Sequence, residues 1–301
     1  MEKVFKSGFV SIVGRPNVGK STLINSLVED KIAIMSDKPQ TTRTLVRGIY
    51  NDDDSQIVFI DTPGMQSPRN KLGKYMEKIS EGSLRDADVL LFVVDQSDFI
   101  GRKDKDIIEK LRHRKEPKLL LINKIDKMSN EQILKNIEMY AELEIFDEII
   151  PISALKDRNK DRLLEVIKRY LPEGPIYFST EATTDQPTKV LIAELIREKI
   201  LHYTEEEIPH GVMVEIEQLE EKKNNLIHIG AVIYIERESH KKIIIGKGGR
   251  KIKGIGMAAR KELEERFDAR VNLELWVKIK NNWRDNESFI RNFGFDDKEM
   301  N

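Results

Sequence analysis

The chain has no cysteine, which excludes disulfide bonds, thiol nucleophiles and cysteine-ligated zinc and fits a reducing compartment. It also lacks a long hydrophobic run, because the longest, Val89–Val94, is far shorter than the ~20 apolar residues that a membrane helix needs. The first residues, Met1–Gly8, lack the apolar stretch of a signal peptide. The net charge of the whole chain is −1, which does not indicate a protein that binds polyanions. We therefore expect a cytoplasmic protein.

The 301 residues are enough for about two domains of ordinary size, and the sequence pattern changes near residue 172. Residues 1–172 alternate short apolar runs with helical stretches, which predicts an α/β domain with a mostly parallel sheet covered by helices. Pro172–Pro175 interrupts this pattern, and residues 173–187 are predicted to be a linker. Residues 188–301 follow a different order, α-β-β-α-α-β, which predicts a second, α+β domain.

The segment Gly14–Ser21 reads Gly-Arg-Pro-Asn-Val-Gly-Lys-Ser and directly follows a predicted strand. Glycines in such a loop let backbone N–H groups approach phosphate oxygens closely. Lys20 would supply positive charge to the β- and γ-phosphates, and the Ser21 hydroxyl is placed for Mg²⁺ at the start of a helix. The complete pattern after a strand favours a phosphate-binding loop over a simple glycine turn.

A second motif, Asp61-Thr-Pro-Gly64, follows another apolar run. Asp61 is suited to hold Mg²⁺ directly or through a water molecule. The Pro-Gly pair would let the following loop move, and the Gly64 N–H could sense a γ-phosphate. Alone, this motif would indicate only an ordinary turn.

The segment Asn123–Asp126 predicts which base is bound. A carboxylate at Asp126 can accept hydrogen bonds from N1 and the 2-amino group of guanine, and adenine lacks both donors in that arrangement. Sites built around such polar pairs can reject an analogue by ~10⁴–10⁵. Asn123 can brace the loop, Lys124 can lie along the ring, and the Ala154 N–H suits the guanine 6-oxygen. With the two earlier motifs, this predicts a GTP-binding protein.

These motifs resemble those of the translation-factor-related GTPases of the Era, EngA and MnmE group. Pro39–Arg43 resembles the first switch of that group. The resemblance implies that Thr42 is a Mg²⁺ ligand when GTP is bound, while Thr41 and Thr44 are close enough to remain alternatives.

Two further positions bear on hydrolysis. Met65 stands where many GTPases carry a water-orienting glutamine, so we expect slow hydrolysis unless something else assists. Asn17 matches a position that helps some relatives bind a monovalent cation, which makes K⁺ a candidate cofactor beside Mg²⁺. The residues predicted to contact GTP or GDP are Asn17, Gly19, Lys20, Ser21, Thr22, Asn123, Lys124, Asp126, Ser153, Ala154 and Leu155. The predicted Mg²⁺ ligands are Ser21, Thr42 and Asp61, and the switch candidates are Thr42, Gly64 and Met65.

The near-neutral total charge hides a basic segment, Ser239–Lys261, with eight Lys or Arg residues and no acidic residue. It contains Gly246-Lys-Gly-Gly249 between two predicted helices, and a Gly-x-x-Gly loop lets a nucleic-acid backbone approach closely. The alternative is a solvated charged face with a glycine turn. The residues predicted to contact RNA are Lys241, Lys242, Gly246, Lys247, Gly248, Gly249, Arg250, Lys251 and Lys253.

The α-β-β-α-α-β order of this domain resembles the type II KH fold, a module that binds about four nucleotides of single-stranded RNA. The resemblance implies a groove lined by apolar side chains, for which Ile244, Ile252 and Ile255 are the candidates. A GTPase domain followed by one KH domain is the layout of the Era family. That resemblance covers nearly the whole chain, since Asn286–Phe295 also resembles the family's C-terminal helix.

Membership of the Era family would imply a GTP-hydrolysing switch that binds the 3′ end of 16S ribosomal RNA and assists maturation of the 30S subunit. It also implies a monomer with a peripheral contact to the inner membrane. One alternative is a component of an RNA-modifying enzyme, as in the MnmE group, which is disfavoured because cysteine and any cofactor motif are lacking. Another is a constitutive RNA-binding protein with a relict nucleotide site, which the intact Lys20, Ser21, Asp61 and Asp126 disfavour.

Overall fold

The computed structural model describes residues 4–36, 38, 41–64, 68, 70–204 and 211–293. Three predictions therefore fall wholly or partly outside the described residues: Met65, the beginning of Pro39–Arg43 and the end of Asn286–Phe295.

The first domain is built around a six-stranded sheet with the strand order β2-β3-β1-β4-β5-β6. The strands are β1 (Lys6–Val13), β2 (Val46–Asn51), β3 (Ser55–Asp61), β4 (Val89–Val94), β5 (Lys118–Ile122) and β6 (Glu148–Pro151). Only the β2–β3 pair is antiparallel, and the other neighbouring strands run parallel. The helices are α1 (Lys20–Val28), α2 (Lys71–Arg85), α3 (Arg102–Arg112), α4 (Asn130–Ala141) and α5 (Lys160–Tyr170). The predicted fold class is confirmed.

The central strand β4 explains why this sheet is covered on both faces. All six of its residues are buried. Because successive side chains of a strand point to opposite faces, Leu91 and Val93 enter the core shared with α1 and α5, whereas Leu90 and Phe92 enter the core shared with α3 and α4. The two helical layers leave the carboxyl ends of β1, β3, β4 and β5 at one edge, where the motifs lie.

Strand β2 was not predicted from the sequence. Its residues, Val-Arg-Gly-Ile-Tyr-Asn, include a charge and a glycine, and it pairs with only one other strand of the sheet. Gly48 is required there because a Cβ at this position would lie 2.8 Å from side-chain atoms of Ile24 and Ile32. Helix α1 can therefore pack close to β2.

The segment 173–187, predicted to be a linker, lies against the first domain. The backbone N–H of Ile49 donates to Thr183 O at 2.8 Å, and the Thr184 hydroxyl donates to Arg47 O at 2.7 Å. The buried Gln56 amide also accepts from the Tyr177 N–H at 2.7 Å. The first two bonds cover the outer side of β2, and the third holds Tyr177 against β3, so the connection between the domains is structured.

The second domain has a three-stranded sheet with the order β7-β8-β9, in which β7 and β8 are antiparallel and β8 and β9 are parallel. Its strands are β7 (Met213–Lys222), β8 (Leu226–Ile235) and β9 (Arg270–Ile279). Its helices are α6 (Thr188–Tyr203), α7 (Glu238–Ile245), α8 (Arg250–Phe267) and α9 (Glu287–Asn292). The predicted α-β-β-α-α-β order is confirmed.

The groove prediction is wrong for two of its three residues. Ile244 and Ile255 are fully buried in the core of the second domain, and Ile252 is half-buried against it. Helices α7 and α8 need these side chains to cover one face of the sheet. Exposed apolar surface on these helices comes instead from Ile243 and Met257, which are 42% and 57% exposed.

The two domains share an apolar cluster. Helix α2 contributes four buried residues, and the second domain contributes Met213, Trp283 and Ile290. The Trp283 indole N–H donates to Gly211 O at 3.0 Å. Trp283 and Ile290 thus pack directly onto α2, the helix that follows the Asp61–Gly64 motif. In the described ranges, no helix combines the length and apolar character needed to cross a bilayer.

Candidate functional site

The phosphate-binding loop connects β1 to α1, and Asn123 braces it from the end of β5. The Asn123 side chain donates to Val18 O at 2.8 Å. Gly19 has a φ of 101°, and a Cβ there would lie 2.3 Å from the Asn123 amide nitrogen. Glycine is therefore needed both for the left-handed turn and for the close approach of the base motif.

Lys20 and Asp61 are two buried groups of opposite charge at the carboxyl edge of the sheet. The Lys20 ammonium donates to Gly14 O at 3.2 Å. Burial lowers the pKa of Lys20, with the Asp61 carboxylate opposing the shift. Burial likewise raises the pKa of Asp61, and Lys20 together with a hydrogen bond from Ser21 opposes it. A phosphate beside Lys20 and a cation beside Asp61 would favour the charged form of each group.

Two hydroxyl side chains, those of Ser21 and Thr42, converge on the Asp61 carboxylate. The Ser21 hydroxyl donates to Asp61 Oδ2 at 2.8 Å, and Thr42 Oγ1 lies 3.0 Å from Ser21 Oγ and 3.3 Å from Asp61 Oδ2. Asp61 Oδ1 is buried, and no hydrogen-bond partner for it exists among the described residues. Hydroxyl and carboxylate oxygens suit Mg²⁺, so the residues present fit this ion.

The geometry favours Thr42 over Thr41 as the metal ligand. The Thr41 hydroxyl donates to Lys38 O at 2.6 Å, within its own turn. The hydroxyl of Thr42 instead faces Ser21 and Asp61. Gly64 lies against the phosphate-binding loop, since a Cβ at this position would be 3.0 Å from the ring of Pro16 in that loop.

The base motif places Asp126 at the end of β5, next to the turn after β6. Asp126 Oδ1 accepts from the Ser153 hydroxyl at 2.5 Å, and this bond lowers the pKa of Asp126, which keeps the carboxylate ionised. The Ala154 N–H donates to Asn123 Oδ1 at 3.0 Å. The N–H that we predict to meet the guanine 6-oxygen thus donates to Asn123 in this arrangement, and its contact with guanine stays a prediction. Leu155 beside it is exposed.

Asp95, which belongs to none of the sequence motifs, joins the phosphate loop to the base motif. The Lys124 ammonium donates to Asn17 O at 2.6 Å and to Asp95 Oδ2 at 2.9 Å. Arg15 of the phosphate loop pairs with Asp95 and lies 3.3 Å from Asp104 Oδ2. The available signal was the position of Asp95 directly after the buried strand β4.

The Gly-x-x-Gly loop lies between α7 and α8, and its glycines differ in what they do. Gly246, Gly248 and Gly249 have φ values of 72°, 61° and 76°. A Cβ at Gly246 would lie 2.7 Å from Lys251 Cβ, so this glycine is needed for packing. Gly248 and Gly249 face open space within the described structure. The loop tip is therefore free to meet a ligand.

Basic side chains surround this loop. Exposed members of the set are Lys242, Lys247, Arg250, Lys253, Arg260 and Lys261. Among the Lys and Arg residues of the basic segment, and counting described partners, only Arg260 and Lys261 have a carboxylate within 4 Å. An open pocket of about 340 Å³ beside the loop is lined by Glu238, Lys241, Lys242, Ile245, Gly246 and Lys247. The basic side chains nearest the loop, Lys242, Lys247, Arg250 and Lys253, are exposed and belong to no ion pair of the described residues, which suits the binding of phosphates.

Comparisons with known proteins agree with this geometry. A family model described as "50S ribosome-binding GTPase" matches residues 9–124, and a KH domain model matches residues 207–284. GTPase Era of Clostridioides difficile is 56% identical over 297 residues, covering 98% of this chain and 100% of that protein. GTPase Era of Alkaliphilus oremlandii is 53% identical over 293 residues, covering 97% of this chain and 99% of that protein.

Two solved structures are similar over both domains. A variant of Aquifex aeolicus Era bound to GDP and AlF₄⁻ is 41% identical, with a TM-score of 0.93. Era in complex with MgGDPNP and nucleotides 1506–1542 of 16S ribosomal RNA is 40% identical, also with a TM-score of 0.93. Each match covers 97% of this chain and 99% of the solved one. Because identity, fold and domain order agree over nearly the full length, this chain belongs to the Era family of GTPases.

Proposed function

We propose that this chain is a GTP-switched RNA-binding protein that binds the single-stranded 3′ end of 16S ribosomal RNA and assists maturation of the small ribosomal subunit. The observation that carries the proposal is the exposed Gly246–Gly249 loop at the head of an uncompensated basic surface, in a chain that also holds a complete GTP-site motif set. A relative of the same domain order is known in complex with that RNA. The proposed division places GTP binding in residues 1–172 and RNA binding in residues 188–301.

At the nucleotide site, we propose that the backbone of the phosphate loop and Lys20 bind the β- and γ-phosphates and that Asp126 selects guanine. Ser21, Thr42 and Asp61 would hold Mg²⁺. When bound, this ion supplies positive charge to the phosphate oxygens during hydrolysis. Thr22, Ser153 and Leu155 belong to the same proposed site, as supports of the phosphate loop and the base pocket.

The proposal also covers the assembly partner, the location and the oligomeric state of this protein. The proposed assembly partner is the 30S subunit, and the proposed location is the cytoplasm. We also propose that the protein is a monomer and that it makes a peripheral contact with the inner membrane. The 30S partner, the membrane contact and the monomeric state rest on the family resemblance, whereas the cytoplasmic location rests on the composition of the sequence.

The proposed switching predicts that RNA affinity depends on the bound nucleotide. The segment that follows Thr42 contacts the second domain, because Arg43 Nη1 donates to Val212 O at 2.5 Å. A difference of about 5- to 150-fold, typical of coupled sites, is expected between the GTP-analogue and GDP forms. Titration of a single-stranded RNA with the 16S 3′-end sequence into the full chain in each form measures it. Equal affinities would favour the alternative of a constitutive RNA-binding protein.

Unassisted hydrolysis is predicted to be slow and to rise with potassium. Met65 has no group that could orient water, so turnover is expected near the ~10⁻⁴–10⁻² s⁻¹ of unassisted GTPases. Asn17, an exposed residue of the phosphate loop, is the proposed contact for K⁺. Turnover is measured in potassium and sodium salts at matched ionic strength, with Asn17→Ala as the comparison. Identical wild-type rates in the two salts would remove K⁺ from the proposal.

A further inference from the structure

Helix α6 of the second domain holds one end of the loop that carries Thr42. The backbone N–H of Met35 donates to Glu198 Oε1 at 3.0 Å, and His202 Nε2 lies 3.1 Å from Met35 O. Glu198 is itself fully buried and accepts from the Lys31 ammonium at 2.5 Å. Both polar groups of one loop residue are thus paired with side chains of α6.

Arg197, on the same helix, holds the other end. Its Nη2 donates to the carbonyl oxygen of Thr41, in a bond that is buried. The guanidinium is oriented for this by Glu194, whose two carboxylate oxygens accept from Nε at 2.8 Å and Nη2 at 2.6 Å. Arg197 is 1% exposed, so water does not compete for the Thr41 carbonyl.

The Thr41 carbonyl belongs to the peptide group that joins Thr41 to Thr42. Since a peptide group is planar, fixing its oxygen also fixes the direction in which the chain enters Thr42. Thr42 Oγ1 then lies 3.0 Å from Ser21 Oγ and 3.3 Å from Asp61 Oδ2. The bond from Arg197 therefore acts one residue away from the proposed Mg²⁺ ligand.

We propose that Arg197 is a positioning residue for the metal site, through which the second domain sets the conformation of Thr42. This inference rests on the proposed role of Ser21, Thr42 and Asp61 in holding Mg²⁺. Arg197 acts through the Thr41–Thr42 peptide, to which its Nη2 donates. The RNA-binding domain then supplies a part of the GTP site that the first domain lacks.

Stability alone is a weak reason for this arginine. Burying a charged group is costly, and buried ion pairs are often replaced by apolar side chains without loss of stability. Arg197 Nη1 is buried, and within the described part of the chain it has no hydrogen-bond partner. The hydrogen bond from Arg197 to the Thr41 carbonyl is better explained if it fixes the conformation of Thr42, the residue that follows this carbonyl.

The test compares nucleotide affinities of Arg197→Met and wild type, with and without Mg²⁺. If Arg197 positions Thr42, the variant loses about tenfold to a hundredfold of its Mg²⁺-dependent affinity for a non-hydrolysable GTP analogue, as expected for one hydrogen bond from a charged donor. Its affinity for GDP changes little, because the Thr42 contact is proposed for the GTP state. Arg197→Lys keeps the buried charge but not the planar fork, and an intermediate loss is expected.

Arg266→Met is the matched control. Arg266 also reaches from the second domain to the first, pairing with Asp30 and donating to Lys31 O at 2.9 Å. It contacts neither end of the loop that Arg197 and Glu198 hold, so its replacement should leave the Mg²⁺-dependent preference for the GTP analogue unchanged. If Arg266→Met loses as much Mg²⁺-dependent affinity as Arg197→Met, the loss comes from a weaker contact between the domains in general, and the proposal is overturned.

A double-mutant cycle with Thr42→Ala separates the positioning role of Arg197 from the proposed metal site itself. Where Arg197 acts through Thr42, adding Arg197→Met to Thr42→Ala removes no further affinity. Additive losses would overturn the positioning role, as would a folded Arg197→Met that keeps the wild-type preference. If wild type and Thr42→Ala bind the GTP analogue with the same Mg²⁺ dependence, the proposed metal site itself is wrong.

Discussion

Replacing Asp126 with asparagine is expected to move the nucleotide preference of this protein from GTP to xanthosine triphosphate. The carboxylate accepts hydrogen bonds from two guanine N–H groups, whereas the asparagine amide can donate to the 2-oxygen of xanthine. Losing two bonds to a charged acceptor, at ~1.5–3 kcal/mol each, corresponds to a loss of roughly 10²–10⁴-fold in GTP affinity. Competition of both nucleotides against a fluorescent analogue measures the switch.

The loop itself should survive this change. Asp126 accepts from the Ser153 hydroxyl at 2.5 Å, and an asparagine oxygen can accept the same bond. Asp157→Asn is a matched control, because Asp157 also accepts from a serine hydroxyl, that of Ser26, at 2.5 Å. It lies outside the proposed base contacts, so GTP binding should be unaffected. Wild-type GTP affinity in Asp126→Asn would show that the guanine assignment of this motif is incorrect.

Replacing Lys247 and Gly248 together with aspartate is expected to abolish most RNA binding. The change puts two negative charges and a side chain at the loop tip, where a phosphate must approach. Loss of two charge-assisted contacts at ~1.5–3 kcal/mol each predicts a fall of at least about a hundredfold. Wild-type affinity should fall with salt, with a log–log slope of roughly −0.7 per neutralised phosphate of a single strand, and the variant should have a shallower slope.

The double variant should remain folded. Gly248 has a φ of 61°, a region that aspartate tolerates better than most residues, and a Cβ there meets no described atom within 4 Å. A control with the same charge change is Lys223→Asp with Asn224→Asp, in the turn between β7 and β8, where Asn224 has a φ of 64°. That turn lies beyond the opposite end of α8, so RNA affinity should be retained.

RNA titrations of the two double variants test whether the Gly246–Gly249 loop binds RNA, and circular dichroism establishes that each variant is folded. If the Lys247→Asp, Gly248→Asp protein is folded and binds RNA like wild type, the basic segment is an ordinary solvated charged face and not an RNA-binding site. Equal losses in both double variants would assign the effect to net charge instead of to the loop.

Local chemistry was enough to predict the nucleotide motifs and the identity of the base. A phosphate loop needs glycine, lysine and a hydroxyl at short, fixed spacing, and the base choice depends on one carboxylate, so both appear in the linear sequence. The buried strand β4 and the α-β-β-α-α-β order were also predicted, because hydrophobic periodicity is a local property. The basic segment was visible because it is contiguous, although the net charge of the chain is −1.

Tertiary structure decided which residues of these segments meet. Thr41 and Thr42 are neighbours in sequence, and only the path of the chain turns the hydroxyl of Thr42 toward Ser21 and Asp61. Ile244 and Ile255 belong to the core and not to a surface groove, because periodicity indicates that a face is apolar without indicating what covers it. Strand β2 is stabilised by β3 and by residues 183 and 184, which are far away in sequence.

The contact between Arg197 and Thr41 is the clearest case of what the sequence alone does not contain. The two residues are 156 positions apart, and neither carries a motif that points to the other. Their bond exists because folding brings α6 against the loop that carries Thr42, where Glu198 also binds Met35. The sequence by itself determined the chemistry of each site, whose groups lie in short contiguous segments, and folding alone decided how the sites join, because that depends on which distant surfaces become buried together.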